Sequence, residues 1–115
     1  MKHAKILLQN VNKGLGTQLH TLLSDAGYTV LTIKNRRGLQ HLASTFKPEL
    51  LIIEGIPQDS PAVVKKLKDM LQAKVLATSC DDNKKHLLKI GFDECLTVPY
   101  QTDDVKSIIE TLLVA

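Results

Sequence analysis

Aromatic residues are scarce in this sequence, whose 115 residues include two Phe, two Tyr and no Trp. Its formal net charge is +3, from 15 basic and 12 acidic side chains. Surfaces that bind nucleic acid commonly combine a strongly basic patch with aromatic side chains on which bases stack. The few aromatic residues and the modest net charge therefore argue against nucleic acid as the partner.

Cysteine and histidine are also sparse, and neither shows the spacing typical of metal ligands. The two cysteines are Cys80 and Cys95, and thiols in a reducing compartment are usually packing residues. The four histidines do not combine with serine and aspartate into a recognisable catalytic triad. We therefore predict that the protein has no metal site and is not an enzyme.

Long apolar segments are missing as well, because no run approaches the roughly 20 residues that a transmembrane helix needs. The first residues, Met1-Lys2-His3-Ala4-Lys5, lead straight into a predicted strand, so no signal peptide is visible. We therefore expect a cytoplasmic protein that does not associate with a membrane.

The sequence does contain a regular alternation of strand and helix patterns. Apolar and β-branched runs predict strands over residues 4–9, 28–33, 50–54, 75–79 and 94–98. Between these runs, apolar residues recur at helical spacing, as in Leu15, Leu19, Leu22 and Leu23. Five strands that alternate with five helices across short loops predict one α/β domain over residues 1–115, a doubly wound parallel sheet.

Capping residues indicate where the predicted helices begin and end. Gly27 and Gly91 are placed as the left-handed residues that end the first and fourth helices. Asn35, Ser60 and Thr102 are predicted N-caps of the second, third and fifth helices. In the third helix we expect five apolar residues to be buried: Val63, Val64, Leu67, Met70 and Leu71.

The third predicted strand, residues 50–54, is the element around which the domain is organised. Its first four residues are Leu and Ile, which is typical of a central strand buried on both faces. The strand ends in Glu54, and in open parallel sheets ligands bind just beyond the carboxyl ends of the strands. Glu54 is therefore the residue whose position indicates a functional site.

Five segments, in order along the chain, carry a resemblance to a known family. They read KILLQN, LLSDAGYTV, KPELLIIEGIP, KVLATS and IGFDECLTVPY. Together they resemble a response-regulator receiver domain, and the resemblance covers nearly the whole chain. It implies a flavodoxin-like (βα)5 fold with the strand order 2-1-3-4-5 and no output domain within residues 1–115.

The resemblance also implies a set of site positions. In that family an aspartate accepts a phosphoryl group beside a divalent cation, which an acidic pair helps to hold, while a lysine and a hydroxyl residue bind the phosphoryl oxygens. At these positions the sequence has Asn10 and Val11 for the acidic pair, Glu54 for the acceptor, Thr78 for the hydroxyl residue and Val98 for the lysine. Only Thr78 keeps the family's residue type.

These departures imply a degenerate phosphoacceptor pocket. Asn10 and Glu54 offer few oxygen ligands, so Mg²⁺ binding is expected to be lost or weak. A phosphoryl group on Glu54 would bring roughly two negative charges with no lysine beside it, which leaves at most a residual acceptor activity. Cys95 stands at the position of the family's aromatic switch residue. Without a lysine partner, a well-buried Glu54 should have a raised pKa.

Two interpretations of Glu54 remain open at this point. Its carboxylate could imitate a phosphorylated aspartate permanently and hold an active-like state. Alternatively, it could be a strand-end carboxyl group that hydrogen-bonds Thr78 or loop amides.

A partner surface is expected near the fourth helix, the fifth strand and the fifth helix, the face that the family commonly uses. Lys84, Lys85 and Lys89 make the fourth helix basic, and Leu96 and Tyr100 could either anchor a partner or simply pack. The candidate partners are a histidine kinase, a regulator, a separate output protein or a second copy of the chain.

Three functional hypotheses follow from these residues. The favoured one is a pseudo-receiver that acts in signal transduction as a protein-interaction module without phosphorylation. The second is a small-molecule-binding protein or enzyme that reuses Asn10, Glu54, Thr78 and Cys80 at the strand ends. The third is a basic adaptor for nucleic acid, which is supported by the basic fourth helix and by the charge that Asn35-Arg36-Arg37 adds elsewhere.

Overall fold

The structure is a computed structural model that describes residues 4–10, 15–54, 60–79, 84–97 and 101–114. The strands are β1 (Lys5–Asn10), β2 (Thr29–Ile33), β3 (Leu50–Glu54), β4 (Lys74–Ser79) and β5 (Glu94–Thr97). The helices are α1 (Leu15–Asp25), α2 (Leu39–Thr45), α3 (Pro61–Leu71), α4 (Lys84–Lys89) and α5 (Thr102–Val114). The strands form one parallel sheet in the order β2-β1-β3-β4-β5, which confirms the predicted fold and strand order.

The central strand of the sheet is β3, and all five of its residues are buried. It pairs with β1 on one side and β4 on the other, so that Ile52 lies opposite Leu8 and Leu76. Helices pack on both faces of the sheet, and this burial explains why β3 is apolar at every position except its last.

Side chains alternate across the sheet and divide the core into two clusters. One cluster combines sheet residues with α1 and α5, and its fully buried members include Leu8, Leu19, Leu23, Ile52 and Ile109. The other cluster combines sheet residues with α2, α3 and α4, and its members include Leu7, Leu39, Leu51, Val64 and Leu87. The same alternation places Glu54, two residues after Ile52, on the α1/α5 face.

Two glycines end helices as the sequence predicts. Gly27 has φ 100° and Gly91 has φ 120°, which are left-handed conformations that favour glycine. After α1, the amide of Tyr28 donates to the carbonyl of Leu23 at 3.2 Å. The amide of Gly27 donates to the carbonyl of Ser24 at 3.1 Å. The amides of Phe92 and Gly91 repeat this pattern after α4, so both helices end in a Schellman motif.

Helix α3 begins as predicted, whereas the predicted caps of α2 and α5 are wrong. Ser60 accepts a hydrogen bond from the amide of Val63 at 3.3 Å, with Pro61 in the first helical position. Asn35 does not cap α2, because its Oδ1 accepts from the amide of Arg37 in a tight turn that precedes the helix. The N-cap of α2 is Gly38, which has φ 72° and no side chain to form a cap.

Thr102 and Val63 also differ from their predicted roles. The first backbone hydrogen bond at the start of α5 runs from the amide of Val105 to the carbonyl of Gln101, so Thr102 is already helical and is not the N-cap. Val63 is 38% exposed instead of buried, because it lies on the side of α3 that turns away from the sheet. Val64, Leu67 and Leu71 are buried as predicted, whereas Met70, also predicted to be buried, is only partly buried.

Asp93, just before β5, ties α3 to the sheet. Its Oδ1 lies 2.9 Å from Nζ of Lys68, and its Oδ2 accepts a hydrogen bond from the buried amide of Val75 at 2.8 Å. The amide of Asp93 donates in turn to the carbonyl of Val75, and Lys68 also reaches the carbonyl of Gly91. One partly buried carboxylate thus connects α3, β4 and the turn after α4.

Among the helices within the described ranges, none is long and apolar enough to cross a membrane.

Candidate functional site

The parallel register brings the predicted site positions together at the carboxyl edge of the sheet. Asn10 at the end of β1 lies opposite Glu54 at the end of β3. Ile53 lies opposite Ala77, so Glu54 and Thr78 are the next residues on two adjacent strands. The register therefore confirms the spatial grouping of Asn10, Glu54 and Thr78 that the resemblance implies.

Glu54 is a buried carboxyl group at the carboxyl edge of the sheet. The residue is 2% exposed, and within the described part of the chain its Oε1 has no hydrogen-bond partner. Burial disfavours the charged form and raises the pKa of Glu54 to about 7. The predicted rise of the pKa is confirmed, and no hydrogen bond from Thr78 reaches Oε1.

Thr78 and Cys95 are both buried, on opposite faces of the sheet. Thr78 is 4% exposed and lies two residues after Leu76, on the same face as Glu54. Cys95, which stands at the position of the family's aromatic switch residue, belongs to the cluster that contains Leu87 and Ile90 of the α4 segment. A small thiol buried there cannot make the large rotamer change that an aromatic ring makes between a buried and an exposed position.

Several predicted positions lie outside the described residues. They are Val11 after β1, Cys80 after β4, and Val98 and Tyr100 after β5. Their identities as apolar, thiol or aromatic residues are facts of the sequence, and their predicted roles remain predictions.

The positions at which the family holds a divalent cation do not carry the ligands that such a cation favours in this chain. Such a cation favours several oxygen ligands, preferably carboxylates, and the family positions here carry one amide, one valine and one buried glutamate. The described residues include no group of three or more His, Cys, Asp or Glu side chains that could hold a metal ion. Glu54 would also have to give up its proton below pH 7 to act as a ligand.

The structure adds a polar pair that the sequence analysis missed. Gln9 is 9% exposed, and its Oε1 accepts a hydrogen bond of 2.8 Å from Nε of Arg36. Gln9 lies on the α2/α3 face, two residues after Leu7. The only signal in the sequence was a polar residue at the end of an apolar strand, and the partner is 27 residues away.

The predicted partner surface near α4 is only partly accessible. Lys84, Lys85 and Lys89 are exposed, and Leu88 between them is 40% exposed. Lys84 lies 3.6 Å from the carboxylate of Glu94. Leu96, however, is 2% exposed and packs in the core cluster beside α5, so of its two predicted roles the structure supports packing and not the anchoring of a partner.

Comparison with solved structures identifies the fold. A protein from Burkholderia pseudomallei described as pilus assembly-related is 20% identical, with a TM-score of 0.81 over 98% of this chain and 91% of that chain. A two-component response regulator from Clostridium difficile is 19% identical, with a TM-score of 0.78 over 97% of each chain. The receiver domain of a Francisella response regulator is 22% identical, with a TM-score of 0.77 over 97% of this chain and 98% of that chain.

The sequence comparisons found no match, whereas the structural comparison did. No protein-family model matches the sequence, and no curated protein matches it. The strand order, the covered length and the TM-scores nevertheless agree in one result. The chain has the fold of the response-regulator receiver domains.

Proposed function

We propose that this chain is a pseudo-receiver that works in the cytoplasm as a protein-interaction module in signal transduction, without phosphorylation. Its partner would be a histidine kinase, a regulator, a separate output protein or a second copy of the chain. The observation that carries the proposal is the state of Glu54, a carboxyl group buried in the core with a pKa of about 7.

A phosphoryl acceptor must present an ionised, accessible oxygen to phosphorus. Glu54 stands at the acceptor position but is 2% exposed, and below pH 7 its protonated form is the major one. Protonation removes the charge that would make the oxygen a nucleophile. The burial and raised pKa of Glu54 therefore support a position that has lost acceptor chemistry.

Charge balance supports the same proposal. A phosphoryl group adds roughly two negative charges. The family balances them with a metal ion and a lysine, whereas this chain has Asn10, Val11 and Val98 at the corresponding positions. We accordingly propose that the site does not use Mg²⁺.

The pKa also bears on the two interpretations of Glu54. A permanent mimic of a phosphorylated aspartate must carry negative charge at neutral pH. Because burial favours the neutral acid up to a pH of about 7, we favour the interpretation in which Glu54 is a strand-end carboxyl group and not a permanent mimic of a phosphorylated aspartate.

Incubation with Mg²⁺ and acetyl phosphate tests the loss of acceptor chemistry. We expect intact-mass spectrometry to show only the unmodified chain, because Glu54 is buried with a raised pKa and the family's metal and lysine positions hold Asn10, Val11 and Val98. A receiver domain with the complete acidic set, treated in parallel, should gain one phosphoryl group. Stoichiometric phosphorylation of this chain, abolished by Glu54→Gln, would overturn the proposal.

A further inference from the structure

Strand β2 lies at the edge of the sheet. Within the described ranges the strand order is β2-β1-β3-β4-β5, so β1 pairs with one side of β2 and no described strand pairs with the other. Thr29 and Thr32 are exposed, and Val30, Leu31 and Ile33 are partly buried. A strand at such an edge presents backbone N–H and C=O groups that can pair with another chain.

The hydrogen bonds to β1 show which backbone groups of β2 face outward. The amide of Thr29 donates to the carbonyl of Ala4 at 3.1 Å, and the parallel register continues without a break along the strand. Successive residues of a strand direct their N–H and C=O groups to opposite sides, so Leu31 also faces β1. The amides and carbonyls of Val30 and Thr32 therefore point away from β1, toward the outer edge.

The two edges of the sheet differ in how they are protected against pairing. Proteins commonly protect an edge strand with charged side chains, proline or a bulge, and β2 reads TVLTI with an unbroken register. At the opposite edge, the carboxylate of Glu94 accepts a hydrogen bond from the amide of Cys95 at 2.9 Å and lies 3.6 Å from Nζ of Lys84. Of the two edge strands, β2 is therefore the one suited to pairing.

We infer that two copies of the chain associate through their β2 strands, which pair antiparallel and join the two sheets into one. The inference deepens the proposed function and rests on it, with a second copy as the partner and β2 as the surface. A two-fold axis relates the copies, so the strand must complement itself. The spacing of the outward-facing groups meets this requirement.

Only one register uses the whole strand. With the two-fold axis at Leu31, Val30 of one copy lies opposite Thr32 of the other, and these two residues exchange both backbone hydrogen bonds. All five residues of each β2 then have a partner. Moving the axis to Val30 or Thr32 keeps the outward groups paired but carries one end of each strand past the end of the other.

The side chains of β2 suit this register. Leu31 packs with the core cluster beneath α2 and α3, and on the axis it meets Leu31 of the second copy. Val30, on the opposite face, lies beside Thr32 of the second copy, which is a favourable cross-strand pair of β-branched residues. The five residues of β2 are all uncharged, so the paired strands do not place like charges opposite each other.

Charges at the two ends of β2 are complementary. Lys34 is exposed directly after the strand, and the exposed Asp25 ends α1 shortly before it. Antiparallel pairing brings the end of one β2 to the start of the other, and so brings Lys34 toward Asp25 of the second copy. A parallel arrangement would instead bring the two Lys34 side chains together.

Sedimentation equilibrium and amide hydrogen exchange of the full chain test this inference. Paired strands of five residues bury less than the roughly 1,200 Å² of a standard interface, so we expect a reversible dimer that forms between about 10 µM and about 1 mM. Exchange of the Val30 and Thr32 amides should slow as the concentration rises. Exchange of the Leu31 amide, which faces β1, should be slow at every concentration.

The amide of Thr32 can be removed without loss of a hydrogen bond to β1. Thr32→Pro deletes this outward N–H, and proline is tolerated at such a position of an edge strand. We expect the dissociation constant of the dimer to rise at least about tenfold. The matched control is Thr32→Val, which also loses the 2.7 Å hydrogen bond between the hydroxyl of Thr32 and Nδ1 of His20 but keeps the amide, and should leave dimerisation unchanged. Circular dichroism should show that both variants are folded.

Leu31→Cys tests the register and does not depend on the proline variant. Residues of a non-hydrogen-bonded antiparallel pair have Cα atoms about 4.5 Å apart, within the range that a disulfide spans. Mild oxidation of the concentrated protein should therefore join two chains through position 31, which peptide mapping identifies. Val30→Cys and Thr32→Cys should give little of the corresponding product, because each thiol lies opposite a different residue of the second copy.

Three outcomes would overturn the inference: a monomer at every concentration, a dimer that Thr32→Pro and Thr32→Val affect equally, or stronger cross-linking through position 30 or 32 than through position 31. A dimer whose formation instead shifts the amides of Lys84, Lys85 and Leu88 would refute pairing through β2 and leave the proposed interaction function standing. Phosphorylation of the chain by acetyl phosphate would refute the proposed function, whether or not β2 pairs.

Discussion

Replacing Glu54 with leucine is expected to stabilise the protein above pH 7 by about 3 kcal/mol, since each pH unit between the two pKa values contributes about 1.4 kcal/mol. The pKa of Glu54 rises from 4.5 to about 7 because burial disfavours its charged form. Leucine fills a similar volume and has no polar atom to leave without a hydrogen bond, as Oε1 of Glu54 is left among the described residues.

The stabilisation by Glu54→Leu, relative to wild type, should increase as pH rises. Below pH 4.5 the carboxyl group is protonated in both the folded and the unfolded state, and its ionisation does not affect stability. Between pH 4.5 and about 7 the unfolded chain releases its proton while the folded chain retains it, so the wild type loses stability as pH rises. Above pH 7 both states are ionised, and the difference between Glu54→Leu and wild type should level off.

Urea denaturation at a series of pH values measures this difference. The matched control is Glu49→Leu, which removes an exposed carboxylate directly before the same strand. If the stability difference between Glu54→Leu and wild type were constant across the series, Glu54 would not have the raised pKa on which the proposed function depends.

Replacing Asp93 with alanine is expected to destabilise the protein by about 2–4 kcal/mol, the range for breaking a partly buried, charge-assisted hydrogen-bond network. The substitution removes the ion pair with Lys68 and leaves the buried amide of Val75 without its acceptor. Thermal or urea unfolding measures the change. Asp69→Ala is the matched control, because Asp69 is exposed on α3 and should change stability by less than about 0.5 kcal/mol.

A double-mutant cycle separates the two parts of the Asp93 effect. Lys68 and Asp93 keep 35% and 23% of their side-chain surface exposed, so solvent screens their ion pair and its coupling energy should be about 1 kcal/mol or less. The larger part of the loss should persist in the Lys68→Met background, because it comes from the amide of Val75. A cycle in which Lys68→Met abolished the whole effect of Asp93→Ala would contradict this assignment.

The sequence was most informative where local pattern and tertiary burial agree. The run from Leu50 to Ile53 has only one stable environment, a central strand covered on both faces, and its observed bounds match the prediction. The helix ends at Gly27 and Gly91 were predicted equally well, because few other residues adopt the left-handed conformation at a helix end at low energetic cost. The strand order came from the resemblance, since alternation alone does not choose among parallel topologies.

The errors and omissions have a common physical cause, the dependence of a side chain on distant neighbours. Asn35 can serve as a helix cap or as a turn residue, and local sequence does not distinguish these roles. The contact between Gln9 and Arg36 exists only once β1 and the turn before α2 are adjacent. The raised pKa of Glu54, by contrast, followed from burial and the missing lysine alone.

The most direct test of the account is a backbone-amide NMR titration with Mg²⁺, followed by Mg²⁺ with beryllofluoride as a phosphoryl mimic. Because Glu54 is buried, has a pKa raised to about 7 and stands at a position where the family's other metal ligands are replaced, we predict that the amides of Glu54, Thr78 and Cys95 stay unchanged in both steps. Saturable shifts that begin at Glu54 and Thr78 and extend to Cys95 would mean that the phosphoryl switch still works, and would contradict the central claim.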